Sequence, residues 1–158
     1  TLVVTLFPYT TLFRSVPCCA VMDFDILNDK NKFKRVLKCF ECDPSGRLSQ
    51  IAQETRDAIE CDAGKPEETK LRYKRDPLMY LDKIENEVEE LLDRCLECGC
   101  LIVRTGELET VFGEKVAYRS SKRAWLSEAL DYLNHLEPGE LTSLAIVSDL
   151  IKMLQVAK

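Results

Sequence analysis

The sequence predicts an α/β fold in which a parallel sheet of few strands is covered by many helices. Three observations predict it. The stretch Val16–Asp29, VPCCAVMDFDILND, runs apolar without alternation into two aspartates, Asp23 and Asp25, as expected of a strand buried on both faces. A second apolar run, Cys100–Val103, follows directly on the strongest helical signal in the chain, so that helix and strand complete a crossover back to the sheet. Each run leads to an acid, an apolar residue and a second acid: Asp23-Phe24-Asp25, and Glu107-Leu108-Glu109 after Arg104-Thr105-Gly106.

The first fifteen residues stand apart from this pattern. Thr1 to Phe13 is hydrophobic, but it lacks a cationic start, contains Pro8 and is too short to span a bilayer. Thr5 to Ser15, TLFPYTTLFRS, is the one-frame translation of a common sequencing-adapter oligonucleotide. Residues 1–15 are therefore excluded from fold reasoning as an adapter-derived, non-native segment. The natural sequence is expected to begin near Val16, in mid-domain, as the C-terminal fragment of something longer. Residues 16–158 then form one partial domain with a helical insertion at about 47–98.

After Asp25, Asn28 or Asp29 can cap a helix with Phe33, Val36, Leu37 and Phe40 on its apolar face. Cys42-Asp43-Pro44-Ser45-Gly46 reads as a turn. Ser49 is a candidate cap for a helix carrying Ile51, Ala52, Ala58 and Ile59, broken by Asp62-Ala63-Gly64-Lys65-Pro66. From about Leu78 to Cys98, residues Tyr80, Ile84, Val88, Leu91, Leu92 and Cys95 form one stripe, and Gly99 sits where a left-handed stop is expected. A further helix starts near Ser120 or Ser121, buries Trp125, Ala129, Tyr132 and Leu136, and ends before Pro138-Gly139. The last begins around Thr142 and packs Leu144, Val147, Leu150, Ile151 and Leu154.

With 158 residues, 46% of them hydrophobic and 31% charged, the chain is long enough for one domain with a substantial core. Its net charge of −5 argues against a free-standing, non-specific nucleic-acid binder; a nucleic-acid role needs metal ions or another domain. Eight cysteines set within apolar runs and helical patterns, with no export signal, read as mostly buried thiols in a reducing cytoplasm.

Carboxylates at two apart on a strand emerge on one face, repel each other and call for a cation. Mg²⁺ is commonly held by one or two protein carboxylates with water or phosphate oxygens completing its shell. In open α/β sheets ligands bind beyond the carboxyl ends of strands, where both acid pairs fall. Two cations held by acids from more than one strand can activate water and stabilise an in-line phosphoryl displacement. The segments AVMDFDILND and LIVRTGELE and the Trp-containing helix beyond them resemble the C-terminal TOPRIM nuclease domain of OLD-family ATP-dependent endonucleases. The likeness covers essentially all of 16–158 and implies a Rossmann-like sheet. It further implies Mg²⁺ or Mn²⁺ at Asp23, Asp25 and one of Glu107 and Glu109, DNA as the substrate, and an upstream ATPase domain. A downstream lysine assists in some members, and Lys122 is the nearest candidate. The family's acidic motif on an earlier strand has no counterpart here, which implies that this piece alone is inactive.

Other readings compete. A haloacid-dehalogenase-type phosphatase also places DxD after an apolar strand, but Ile26 and Leu27 fit its next positions poorly. A non-catalytic interaction or dimerisation module, including a homodimer, is the alternative from another class. Cys39-x-x-Cys42 and Cys95-x-x-Cys98, with Cys100 nearby, have zinc-like spacing, although Cys39 and Cys95 also continue apolar stripes. Arg72, Lys74 and Arg75 read as a solvated face; Arg119, Lys122 and Arg123 are better phosphate candidates. His135 reads as structural and Trp125 as core. No membrane partner is expected.

Overall fold

The computed structural model describes residues 19–61, 63, 65–116 and 121–156. Two parallel strands, β1 (Ala20–Met22) and β2 (Cys100–Ile102), pair Ala20 with Cys100, Val21 with Leu101 and Met22 with Ile102. Successive strand residues point to opposite faces. Met22, Cys100 and Ile102 enter the main core with Phe24, Leu27, Phe33 and Ile51, whereas Val21 and Leu101 pack on the other side with Leu96, Leu150 and Met153. Both faces are covered, which is why the runs carry no polar alternation. The α/β class thus holds in a simple form among the described residues, two short strands with many helices. Val16 to Cys18, the expected start of the first strand, lie outside the described residues.

Between the strands run α1 (Lys30–Cys39), α2 (Arg47–Cys61), α3 (Pro66–Lys74) and α4 (Glu85–Glu97). After β2 come α5 (Lys122–Asn134), α6 (Pro138–Ser143) and α7 (Ala145–Val156). Asp29 caps α1, its Oδ1 accepting the backbone N–H of Asn31 at 3.1 Å and of Lys32 at 3.0 Å. α1 then buries Phe33, Val36 and Leu37, as the spacing predicts. Gly99 follows α4 at φ +88°, the left-handed stop that lets β2 begin at once. Arg104, just past β2, pairs with Glu89, with Asp93 at 2.7 Å and with Asp149 at 3.7 Å, tying α4 to α7. Among the described residues no helix is long and apolar enough to cross a membrane.

Several element boundaries differ from expectation. Ser49 lies inside α2; the cap is Asp43, whose carboxylate accepts from the backbone N–H of Leu48 and Ser49 and from the Ser49 hydroxyl at 2.7 Å. The helix expected from Leu78 starts at Glu85, because Pro77 opens a 3-10 turn (Pro77–Tyr80) and a second one (Asp82–Ile84) follows. Tyr80 consequently faces outward, with the Arg72 guanidinium 4.7 Å from its ring centre. Pro138-Gly139 does not merely end α5 but starts α6, since proline suits a first helical position and Glu137 and Glu140 close a capping box. α7 buries Met153 and packs Ile146 and Leu150 beside it, leaving Ile151 exposed, so its stripe is rotated from the one expected. Trp125 is core as expected, stacked on Phe112 with ring centres 6.0 Å apart.

Candidate acidic site at the end of the sheet

β1 ends at Met22, so Asp23 and Asp25 do not share a strand face. Asp23 follows the strand in extended conformation and Asp25 sits in a 3-10 turn (Phe24–Leu27). The two acid turns nevertheless meet. The Phe24 N–H donates to the Gly106 carbonyl at 2.6 Å, and the Leu108 N–H donates to Asp23 Oδ1 at 2.9 Å across 85 residues of sequence. Gly106 also permits the close approach of the end of α3: at φ +106°, an added Cβ would lie 2.3 Å from the Lys74 carbonyl oxygen.

Glu107 is the acid of the second turn that faces the aspartates. Asp25 is exposed as a residue, yet its carboxyl is partly desolvated by the turn, and its pKa is raised by that desolvation and then by the neighbouring charge of Asp23. Lys74 opposes the rise and Glu107 adds to it. Glu109 lies in the next 3-10 turn (Leu108–Thr110) and is 8% exposed, withdrawn from solvent. Of the two glutamates, Glu107 adds its charge at Asp25 and Glu109 is the more buried.

Lys74 is the residue that sequence pattern did not find. It ends α3, and its Nζ lies 2.6 Å from Glu107 Oε1, among the acids. Arg75 bridges to Gly106, and the Asp76 N–H donates to the Thr105 carbonyl at 3.1 Å, which bring the end of α3 to the site. Asp76, in left-handed conformation at φ +46° before Pro77, marks the sharp turn that follows α3. The remaining basic candidates separate. Arg72 is buried, donating to the Ile59 carbonyl at 3.2 Å and to Glu68 at 2.7 Å, so it is not part of a solvated face. Arg75 and Arg123 are exposed. Arg119 and the Lys122 side chain lie outside the described residues. His135 caps the C-terminal end of α5, with its ring Nδ1 2.7 Å from the Asp131 carbonyl oxygen.

Three carboxylates supply the hard oxygen donors that Mg²⁺ or Mn²⁺ prefer. Among the described residues no group of three or more His, Cys, Asp or Glu is placed to hold a metal. Asp23 Oδ1 and Glu107 Oε1 are instead engaged by a backbone amide and an ammonium. The cysteines gather differently from their sequence spacing. Cys39 is exposed, while Cys42 meets Cys95, Cys98 and Cys100 inside the core. The nearby Cys42 sulfur and burial push the thiols of Cys95 and Cys100 up, and burial followed by Cys42 does the same to Cys98.

The fold and site define an α/β chain with an acidic cluster, countered by one lysine, beyond the carboxyl end of a parallel strand pair. Comparison with protein-family models, curated proteins and solved structures gives no match.

Proposed function

We propose that this chain is the C-terminal, TOPRIM-like part of a divalent-metal-dependent DNA endonuclease of the OLD type, coupled to an ATPase domain elsewhere in the parent protein. The observation that supports it most is the meeting of Asp23 and Asp25 with Glu107 across the ends of β1 and β2, cross-linked by the Asp23–Leu108 hydrogen bond. Like charges close together raise each other's proton affinity and cost stability, which Lys74 and the Leu108 amide offset only in part. A ligand that takes the charge accounts for them. A bound divalent cation would supply Lewis-acid activation of water and phosphate oxygen. The chain's own residues hold that charge in place: Asp23 is fixed by the Leu108 amide, Asp25 stands toward solvent, and Lys74 neutralises Glu107 in the absence of another cation.

The test is a plasmid-nicking assay with Mg²⁺ or Mn²⁺ on the full-length parent, alongside Mn²⁺ binding by this chain. Asp23→Asn and Asp25→Asn are each expected to lower nicking by at least a hundredfold, and Lys74→Gln to tighten Mn²⁺ binding by removing the competing ammonium. Unchanged nicking in both aspartate variants sinks the proposal. The engaged state of Asp23 and Glu107 favours the second reading, a non-catalytic interaction or dimerisation module. That reading is supported instead if the chain binds no Mn²⁺, with or without Lys74, and sediments as a dimer.

A further inference from the structure

We propose that the exposed face of α1 docks the phosphate backbone of duplex DNA. α1 reads KNKFKRVLKC: Lys30, Lys32, Lys34, Arg35 and Lys38, with no acid, in a chain whose net charge is −5. Lys30, Lys34 and Lys38 recur at four-residue intervals and so form one stripe, with Asn31 and Arg35 alongside; all five are exposed. Lys34, Arg35, Lys38 and Asn31 line a shallow concavity. The opposite face is fixed by Phe33, Val36 and Leu37 in the core, and Asp29 fixes the helix start, so the cations sit on a rigid element.

Helix stability does not explain this composition. A helix N-terminus favours acids, yet the first turn of α1 has none and carries Lys30 and Lys32. Lys32 is paired with Asp29 at 3.1 Å; among the described residues Lys30, Lys34, Arg35 and Lys38 have no ion-pair partner. Arg47, Arg94 and Arg104, by contrast, each have an acid. A surface of like, unpaired cations fits a polyanion. The stripe extends about 12 Å at 1.5 Å per residue, long enough to face several phosphates of a duplex that carries one charge per about 1.7 Å. Its place fits the acidic site, because the turn bearing Asp25 leads directly into α1. An anionic membrane fits less well, since the large apolar side chains of α1 are spent in the core and none is left to insert.

The choice of DNA among polyanions rests on the nuclease proposal, but binding is measured apart from cleavage. Anisotropy of a fluorescent duplex of about 20 base pairs, titrated with this chain in EDTA from about 50 to 200 mM salt, gives the dependence of log K on log salt. Replacing Lys30, Lys34 and Lys38 together by glutamine is expected to weaken binding more than tenfold at the lower salt and to flatten the slope by about 2.7, for three lost phosphate contacts. The same change at Lys65, Lys70 and Lys83, which are also exposed, is expected to leave the slope as it was. Absence of duplex binding, equal losses from the two triple variants, or a preference for phosphatidylserine vesicles or polyglutamate over DNA overturns the proposal. Salt-dependent binding through α1 in a parent that never nicks DNA keeps this surface and removes the nuclease; nicking with no effect of the α1 variant does the reverse.

Discussion

Asp25 feels two opposing influences: its turn and the charges of Asp23 and Glu107 favour the protonated form, while Lys74 favours the carboxylate. The first set prevails, and the folded-state pKa lies above its ordinary 3.8. Between those two values the folded chain keeps a proton that the unfolded chain releases, so stability falls as pH rises through the window and the cost persists at neutral pH. Asp25→Asn removes that cost. It is expected to raise the melting temperature at pH 7.5, and by less at pH 4.5, in thermal melts followed by circular dichroism. A variant that melts lower than its parent at pH 7.5 would mean that Lys74 makes the carboxylate a structural partner. The acid-x-acid pattern was legible in the sequence because it is local. The preference for Glu107 was not, since both glutamates flank Leu108 and only the tertiary fold decides which is buried. Lys74 was less legible still: it reaches Glu107 across 33 residues, and its neighbours Arg72 and Arg75 suggested a solvated run.

At the scale of elements, apolar spacing located α1, the body of α4 and the core of α5, because each buries a stripe whose period is set by the helix itself. Starts and stops were harder, as they depend on which polar side chain reaches which amide. For α2 the competitors were Ser49 and Asp43, and the carboxylate wins with two acceptor atoms serving two amides and a hydroxyl. Burial pushes the Asp43 pKa up, but bonds from the Ser49 hydroxyl and from the Ser49, Leu48 and Gly46 amides outweigh it and hold the pKa below 3.8. The capping contribution is therefore present above pH 3.8 and lost as pH falls through the lower folded value. Asp43→Ala is expected to cost about 1 kcal/mol at pH 7, or about 2–4 °C in melting temperature, by thermal denaturation followed by circular dichroism. No loss would mean that Ser45, whose hydroxyl accepts the Arg47 N–H at 3.3 Å, suffices as a cap.

For the molecule as a whole, the α/β class followed from two apolar runs that no helix period explains, and the two strands pair as that class requires. What the sequence did not disclose is how few strand residues carry the arrangement, and that three distant segments close on one point. Gly106 accepts from Phe24, its neighbour Thr105 accepts from Asp76, Asp23 accepts from Leu108, and the backbone of Lys74 leaves no room for a Cβ at Gly106. Because these bonds share one junction, they are expected to break together. In native-state hydrogen exchange the amides of Phe24, Asp76 and Leu108 should open with a common free energy, as one cooperative unit. Gly106→Ala, which forces the Lys74 backbone away, should lower that shared value by about 2 kcal/mol or more while sparing the amides of α5. Independent exchange of the three would show separate hinges. If they open together, the acidic cluster is assembled and dispersed in a single event, and the lifetime of that one opening sets how long its carboxylates stand apart.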